Sequence, residues 1–75
     1  MSERLPRITA REFEKLLTKL DFAIVRQSGS HRIYRNSKGV RATVPFHAGK
    51  ILHPKILKTF MKDTNLTLDQ LKAFL

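Results

Sequence analysis

Cysteine and tryptophan are absent from this chain of 75 residues, and proline and glycine occur only three times each. Without cysteine, neither a disulfide framework nor a thiolate metal site can stabilise the fold. The longest apolar run, Phe22-Ala23-Ile24-Val25, is far shorter than the ~20 residues of a membrane-spanning helix. The segment 1–7 has no apolar stretch of the kind that a secretory signal contains. We therefore expect a small cytoplasmic protein without a membrane anchor.

Acidic residues are also scarce. The chain has six of them against fifteen lysines and arginines, a formal net charge of +9. The stretch 22–62 contains nine of the bases, all three histidines and no acid, while six bases and six acids balance outside it. A positive charge confined to one part of a chain is typical of a polyanion-binding surface.

The composition is that of a folded domain, with 41% hydrophobic and 28% charged residues. The length favours a single domain over residues 1–75, with residues 1–7 flexible. No linker, repeat or low-complexity tract divides the chain. We expect this domain to be monomeric on its own.

Three helices are predicted from capping signals and apolar periodicity. Thr9-Ala10-Arg11-Glu12 and Thr67-Leu68-Asp69-Gln70 are capping boxes, and Pro54 suits the first position of a helix that Asn65 closes. The first helix has its apolar residues at helical spacing on one face: Phe13, Leu16, Leu17 and Leu20.

Three strands lie between the first two helices. The segments 22–27, 31–35 and 40–44 are β-prone, and Ser28-Gly29-Ser30 and Asn36-Ser37-Lys38-Gly39 are turn sequences between them. Short turns imply an antiparallel meander. The predicted fold is α+β, in the order α-β-β-β-α-α, with the helices on one face of the sheet.

The residues that metal sites, paired-carboxylate sites and nucleotide sites require are absent from this chain or wrongly spaced. His47 and His53 lie six residues apart with no carboxylate nearby, which fits no familiar zinc spacing. The acids lie in amphipathic helices, where solvated helix faces explain them better than paired catalytic carboxylates do. The three glycines are dispersed at turns, so no loop cradles a nucleotide. We expect neither a metal nor a cofactor.

The candidate for chemistry is His31, which follows the small residues Gly29 and Ser30. Neighbouring cations can hold a phosphodiester and stabilise charge in its transition state. Imidazole, with an unperturbed pKa of ~6.5, can accept a proton from a ribose 2′-hydroxyl, a group that DNA lacks. The candidate phosphate contacts are Arg26, Arg32, Arg35, Arg41 and Lys50.

Structural interpretations of the histidines remain open. One interpretation is that His31 is a hairpin residue that hydrogen-bonds to the backbone. The sheet face of His31 is undetermined, because residues two apart in a strand share a face, and an inward-pointing Ile33 would turn His31 inward too. His47 can bind phosphate or orient its loop. His53 directly precedes Pro54, so helix capping explains it.

At these residues the chain resembles the HicA toxins of bacterial and archaeal toxin–antitoxin pairs. The motifs are Arg26-Gln27-Ser28-Gly29-Ser30-His31, Val44-Pro45-Phe46-His47 and the closing helices through Thr67-Leu68-Asp69-Gln70-Leu71. They occur in the family's order and spacing from about Ile8 to Leu75. One departure is Asp21, where the family commonly has glycine before phenylalanine; aspartate tolerates a left-handed turn.

The resemblance implies a fold like that of double-stranded-RNA-binding domains, ribosome-independent cleavage of mRNA, and inhibition by a HicB-type antitoxin in a hetero-oligomer. It places the family's essential histidine at His31, with Gly29 and Ser30 presenting it, and gives His47 a supporting role. Two other functions remain open from the residues alone. One is a non-catalytic double-stranded-RNA-binding module, and the other is a basic ribosome- or DNA-associated protein.

Overall fold

The computed structural model describes residues 4–75 and arranges them as one antiparallel sheet with helices packed on one side of it. The elements, in chain order, are α1 (Ala10–Lys19), β1 (Ala23–Ser28), β2 (His31–Arg35), β3 (Arg41–Pro45), α2 (Pro54–Thr64) and α3 (Leu68–Ala73). This order confirms the predicted α-β-β-β-α-α arrangement.

The sheet has the strand order β1-β2-β3, and both pairings are antiparallel, so the predicted meander is confirmed. A two-residue turn joins Ser28 to its Cα partner His31. The β1–β2 register shifts between Ile24 and Arg26, where Val25 forms a bulge. β1 and β3 are the two edge strands, and β2, which begins with His31, lies in the middle.

The hydrophobic core lies between the helices and one face of the sheet. Tyr34, Ala42 and Val44 are the buried strand residues, and they pack in the same cluster as Phe13 of α1 and Phe60 of α2. The two phenylalanine rings meet edge to face, with centroids 5.1 Å apart. All buried strand side chains therefore point to the helices, and the opposite face of the sheet carries no helix of the described chain.

The predicted helix ends are confirmed by their hydrogen bonds. Thr9 and Thr67 each form the reciprocal capping box with the residue three positions later. Pro54 opens α2, and Asn65 ends it in the left-handed conformation with φ of 60°. Because each of these signals is satisfied within one helical turn, the sequence alone is sufficient to predict them.

β1 and β3 each begin and end one residue later than predicted. Phe22 lies outside β1 because its amide donates to Leu17 O at 2.9 Å and its ring is buried in the core. Val40 lies outside β3 because its amide donates to the Asn36 side chain at 2.9 Å, inside the turn. Asp21 links α1 to β1 in the left-handed conformation, with φ of 64°.

The predicted flexible segment 1–7 lies partly outside the described residues. Within the described part, Leu5 packs against the core. The extent of the domain, 1–75, stays a prediction. In residues 4–75 no helix combines the length and the apolar composition that crossing a bilayer requires.

Candidate functional site

The strand register places His31 on the face of the sheet that is opposite to the helices. Tyr34 is buried on the helix side, and alternate residues of a strand point to opposite faces, so His31 and Ile33 share the other face. The burial of Tyr34 therefore decides which face of the sheet His31 occupies. Tyr34 points into the core, and Ile33 and His31 point to the opposite face, which we call the open face. The His31 side chain is exposed.

Three of the predicted phosphate contacts share the open face with His31. Arg26 lies opposite Ile33, and Arg35 lies opposite Arg41, so their side chains project on the same side of the sheet. All three arginines are exposed, and the three strands contain no acidic residue. Arg35 lies four residues from His31 along β2, about 13 Å at ~3.3 Å per residue. The open face is therefore a cationic surface with one histidine at its end.

The turn that precedes His31 is built from Gly29 and Ser30. Gly29 has φ of 58°, a conformation that residues with a Cβ rarely adopt. A glycine at the first position of a two-residue hairpin turn matches the twist of the flanking strands. The Ser30 carbonyl accepts the Phe46 amide at 2.7 Å. The turn is thus held against the segment that carries His47.

Arg32 lies on the helix side of β2, away from the other predicted phosphate contacts. Its Nη1 is 3.0 Å from Oε1 and 3.2 Å from Oε2 of Glu14 on α1. Its guanidinium also stacks on the Phe46 ring, with Cζ 4.0 Å from the centroid. Arg32 therefore ties α1, β2 and the loop after β3 together.

Tyr34 binds the same carboxylate. Its hydroxyl donates to Glu14 Oε2 at 2.7 Å. Burial, followed by the hydrogen bond to Glu14 and the charge of that carboxylate, raises the pKa of Tyr34 from 10.0 to about 12, while Arg32 opposes the shift. Sequence reasoning missed Glu14, because its partners lie eighteen and twenty residues away.

The loop between β3 and α2 gathers the other two histidines. His47, Lys50 and His53 line a cavity of about 200 Å³ with Pro45 at its sheet end. The predicted capping role of His53 is confirmed, because its Nδ1 accepts the Lys55 amide at 3.1 Å. In the part of the chain from 4 to 75, no three His, Asp or Glu side chains lie close enough together to share a metal ion.

The element order and the single antiparallel sheet with helices on one face define a small α+β fold like that of double-stranded-RNA-binding domains. The family model described as HicA toxin of bacterial toxin-antitoxin matches residues 10–66. Because this match covers more than half of the chain, the protein belongs to the HicA toxin family. Membership assigns it a toxin role and implies an antitoxin partner. A search of curated proteins found no match.

Proposed function

We propose that the protein is a metal-independent and ribosome-independent mRNA endoribonuclease in which His31 is the catalytic acid–base group. The observation that carries the proposal is the position of His31, exposed on the open face with Arg26, Arg35 and Arg41 and with no strand carboxylate. A surface of this charge attracts the phosphate backbone of RNA. Lys50 extends the positive charge beyond the end of the sheet, where the His47 side chain lines the same cavity.

In the proposed reaction His31 accepts the proton of a ribose 2′-hydroxyl. The resulting oxygen nucleophile attacks the adjacent phosphorus, and the bond from phosphorus to the 5′-oxygen breaks. The products are a 2′,3′-cyclic phosphate and, after the leaving oxygen takes up a proton, a 5′-hydroxyl. The open-face arginines stabilise the negative charge that develops on the phosphoryl oxygens.

A second function is favoured by the likeness to double-stranded-RNA-binding domains. A non-catalytic module of this kind binds an RNA duplex by shape and backbone charge, with a steep dependence on salt. Such a module has no need of an exposed histidine behind a glycine-serine turn. It predicts RNA binding without cleavage and little effect of a substitution at His31.

The test is cleavage of RNA by purified protein in EDTA. Wild type, His31→Ala and a control variant, Lys58→Ala, are compared, since Lys58 is exposed on α2 and outside the proposed site. Wild type and the control should cut RNA, while His31→Ala should lose about 10²-fold or more of the rate. Equal cleavage by His31→Ala would contradict the assignment, and loss of wild-type cleavage in EDTA would indicate a metal.

We further propose that the antitoxin is a HicB-type protein that binds this toxin in the cytoplasm and covers His31. The +9 charge of the chain favours an acidic partner surface. Adding the cognate antitoxin should suppress RNA cleavage by the wild-type toxin. Unchanged cleavage in a stable complex would contradict the proposal that the antitoxin covers the site.

A further inference from the structure

The polar side chains that line the cavity beside the end of β3 are all nitrogen bases, and the rest of its lining is apolar. Its polar side chains are those of His47, Lys50 and His53, and Pro45, Ile51 and Leu52 complete it. Among residues 4–75, no carboxylate lines it. Two imidazoles and one ammonium around a common space present hydrogen-bond donors and positive charge, which are the requirements for binding an oxyanion.

The position of the cavity relates it to His31. Pro45, at its sheet end, is the Cα partner of His31 across the β2–β3 ladder. Arg35 and Arg41 form the opposite end of the same two strands. His31 therefore lies between two cationic groups, the open-face arginines on one side and the cavity on the other.

From these observations we infer that the cavity is a subsite for a phosphate group of the RNA strand, next to the phosphodiester that is cut, with His53 as one of its ligands. This inference rests on the proposed function for the identity of the strand. It adds His53 to the substrate contacts that the sequence predicted. It also gives the RNA a path from the open-face arginines across His31 into the cavity.

His53 is prepared for this role by its helix-capping bond. Nδ1 accepts the Lys55 amide, so the neutral ring carries its proton on Nε2. Nε2 is therefore the ring's hydrogen-bond donor, as an oxyanion requires. The cavity volume of about 200 Å³ is several times the ~30 Å³ that one water occupies in the liquid, so a phosphate group can enter.

The loop is anchored at both ends, which fixes the cavity relative to His31. At its start, the Phe46 amide donates to the Ser30 carbonyl in the turn before His31. At its end, the Leu52 amide donates to Ile8 O at 2.8 Å, beside the bridge between Thr9 and Ile51. Binding in the cavity thus positions a strand over His31 without a large loop movement.

The direct test is titration of the free protein with inorganic phosphate, observed through the imidazole resonances of His47 and His53. His53→Asn keeps a good helix cap but removes the imidazole, and Lys50→Ala removes the ammonium. Lys38→Ala removes the same charge from the distant β2–β3 turn and is the matched control. We expect saturable shifts at both histidines, weakened roughly tenfold by Lys50→Ala and by His53→Asn, and unaffected by Lys38→Ala.

Cleavage kinetics separate this inference from the proposed function. In an active enzyme, Lys50→Ala and His53→Asn should raise KM more than they lower kcat. If wild-type cleavage depends on His31 while both variants leave KM and phosphate binding unchanged, the subsite is overturned and the proposed function stands. If phosphate binds as described but the protein never cuts RNA, the proposed function fails and the anion site stands.

Discussion

Arg32 and Glu14 form an ion pair that joins β2 to α1, with Nη1 3.0 Å from Oε1. The side chains are 31% and 14% exposed, so the pair lies at the margin of the core. Because strand residues alternate, Arg32 and the buried Tyr34 lie on the helix side of β2, and His31 lies on the open face. The ion pair thus holds α1 against the face of the sheet that is opposite to the catalytic candidate.

The first prediction concerns this ion pair. Glu14→Gln removes the carboxylate that accepts bonds from Arg32 and Tyr34. We expect the free energy of unfolding to fall by about 1 to 2 kcal/mol, since Arg32 loses its partner but remains partly solvated. Urea denaturation measures the change.

Glu12→Gln is the matched control for Glu14→Gln, because both change a carboxylate of α1 into an amide. Glutamine can replace Glu12 in the capping box with Thr9. Glu12→Gln should lower the free energy of unfolding by about 0.5 kcal/mol or less. Equal free energies of unfolding for the two variants would contradict a specific contribution of the Arg32–Glu14 ion pair to stability.

The second prediction is the behaviour of the fold at high pH. The pKa of Tyr34 is raised from 10.0 to about 12 in the folded protein. The folded state therefore holds this proton more tightly than the unfolded state, and the stabilisation is lost as pH rises through that interval. Between pH 9 and pH 12 the free energy of unfolding should fall less in Tyr34→Phe than in wild type. An identical loss in both proteins would show that Tyr34 plays no part.

The third prediction concerns the left-handed residue after α1. Asp21 has φ of 64°, a conformation that costs a residue with a Cβ about 1 kcal/mol or more and costs glycine little. Asp21→Gly should therefore be more stable than Asp21→Ala by about 1 kcal/mol in urea denaturation. Equal stabilities would mean that the turn relaxes to another conformation.

The fourth prediction distinguishes the two faces of the sheet. Arg26→Ala removes a cation from the open face. The slope of the logarithm of the RNA-binding constant against the logarithm of salt concentration should therefore become smaller in magnitude by about 1. Arg32→Met removes a cation from the helix face and should lower stability while leaving that slope unchanged. RNA affinity measured at several salt concentrations tests both. The reverse pattern would place the RNA on the helix side.

Much of the fold could be predicted because its signals are local. The capping boxes at Thr9 and Thr67, the left-handed Asn65 and the Gly39 turn are each satisfied within a few residues. The displaced starts of β1 and β3 have distinct causes. Asn36 holds Val40 through a local turn contact, whereas the core buries Phe22.

The site was less accessible to sequence reasoning because its geometry depends on distant contacts. The face of His31 follows from Tyr34, whose partner Glu14 is twenty residues away on α1. Arg32 matched the charge pattern of a phosphate contact, but charge patterns contain no information about sheet faces. The six-residue spacing of His47 and His53 fits no familiar site, so the sequence did not predict that they line one cavity. The loop between them turns at Gly49, which has φ of 77°.

The central claim is that His31 activates a ribose 2′-hydroxyl for attack on the neighbouring phosphorus. The most direct measurement is the chemistry of the product ends from an RNA oligonucleotide and from the same sequence as DNA. We predict that the wild-type toxin leaves 2′,3′-cyclic phosphate and 5′-hydroxyl ends on RNA and does not cut DNA, while His31→Ala yields no such ends. Products with 5′-phosphate ends, or equal cleavage of the DNA, would contradict the account.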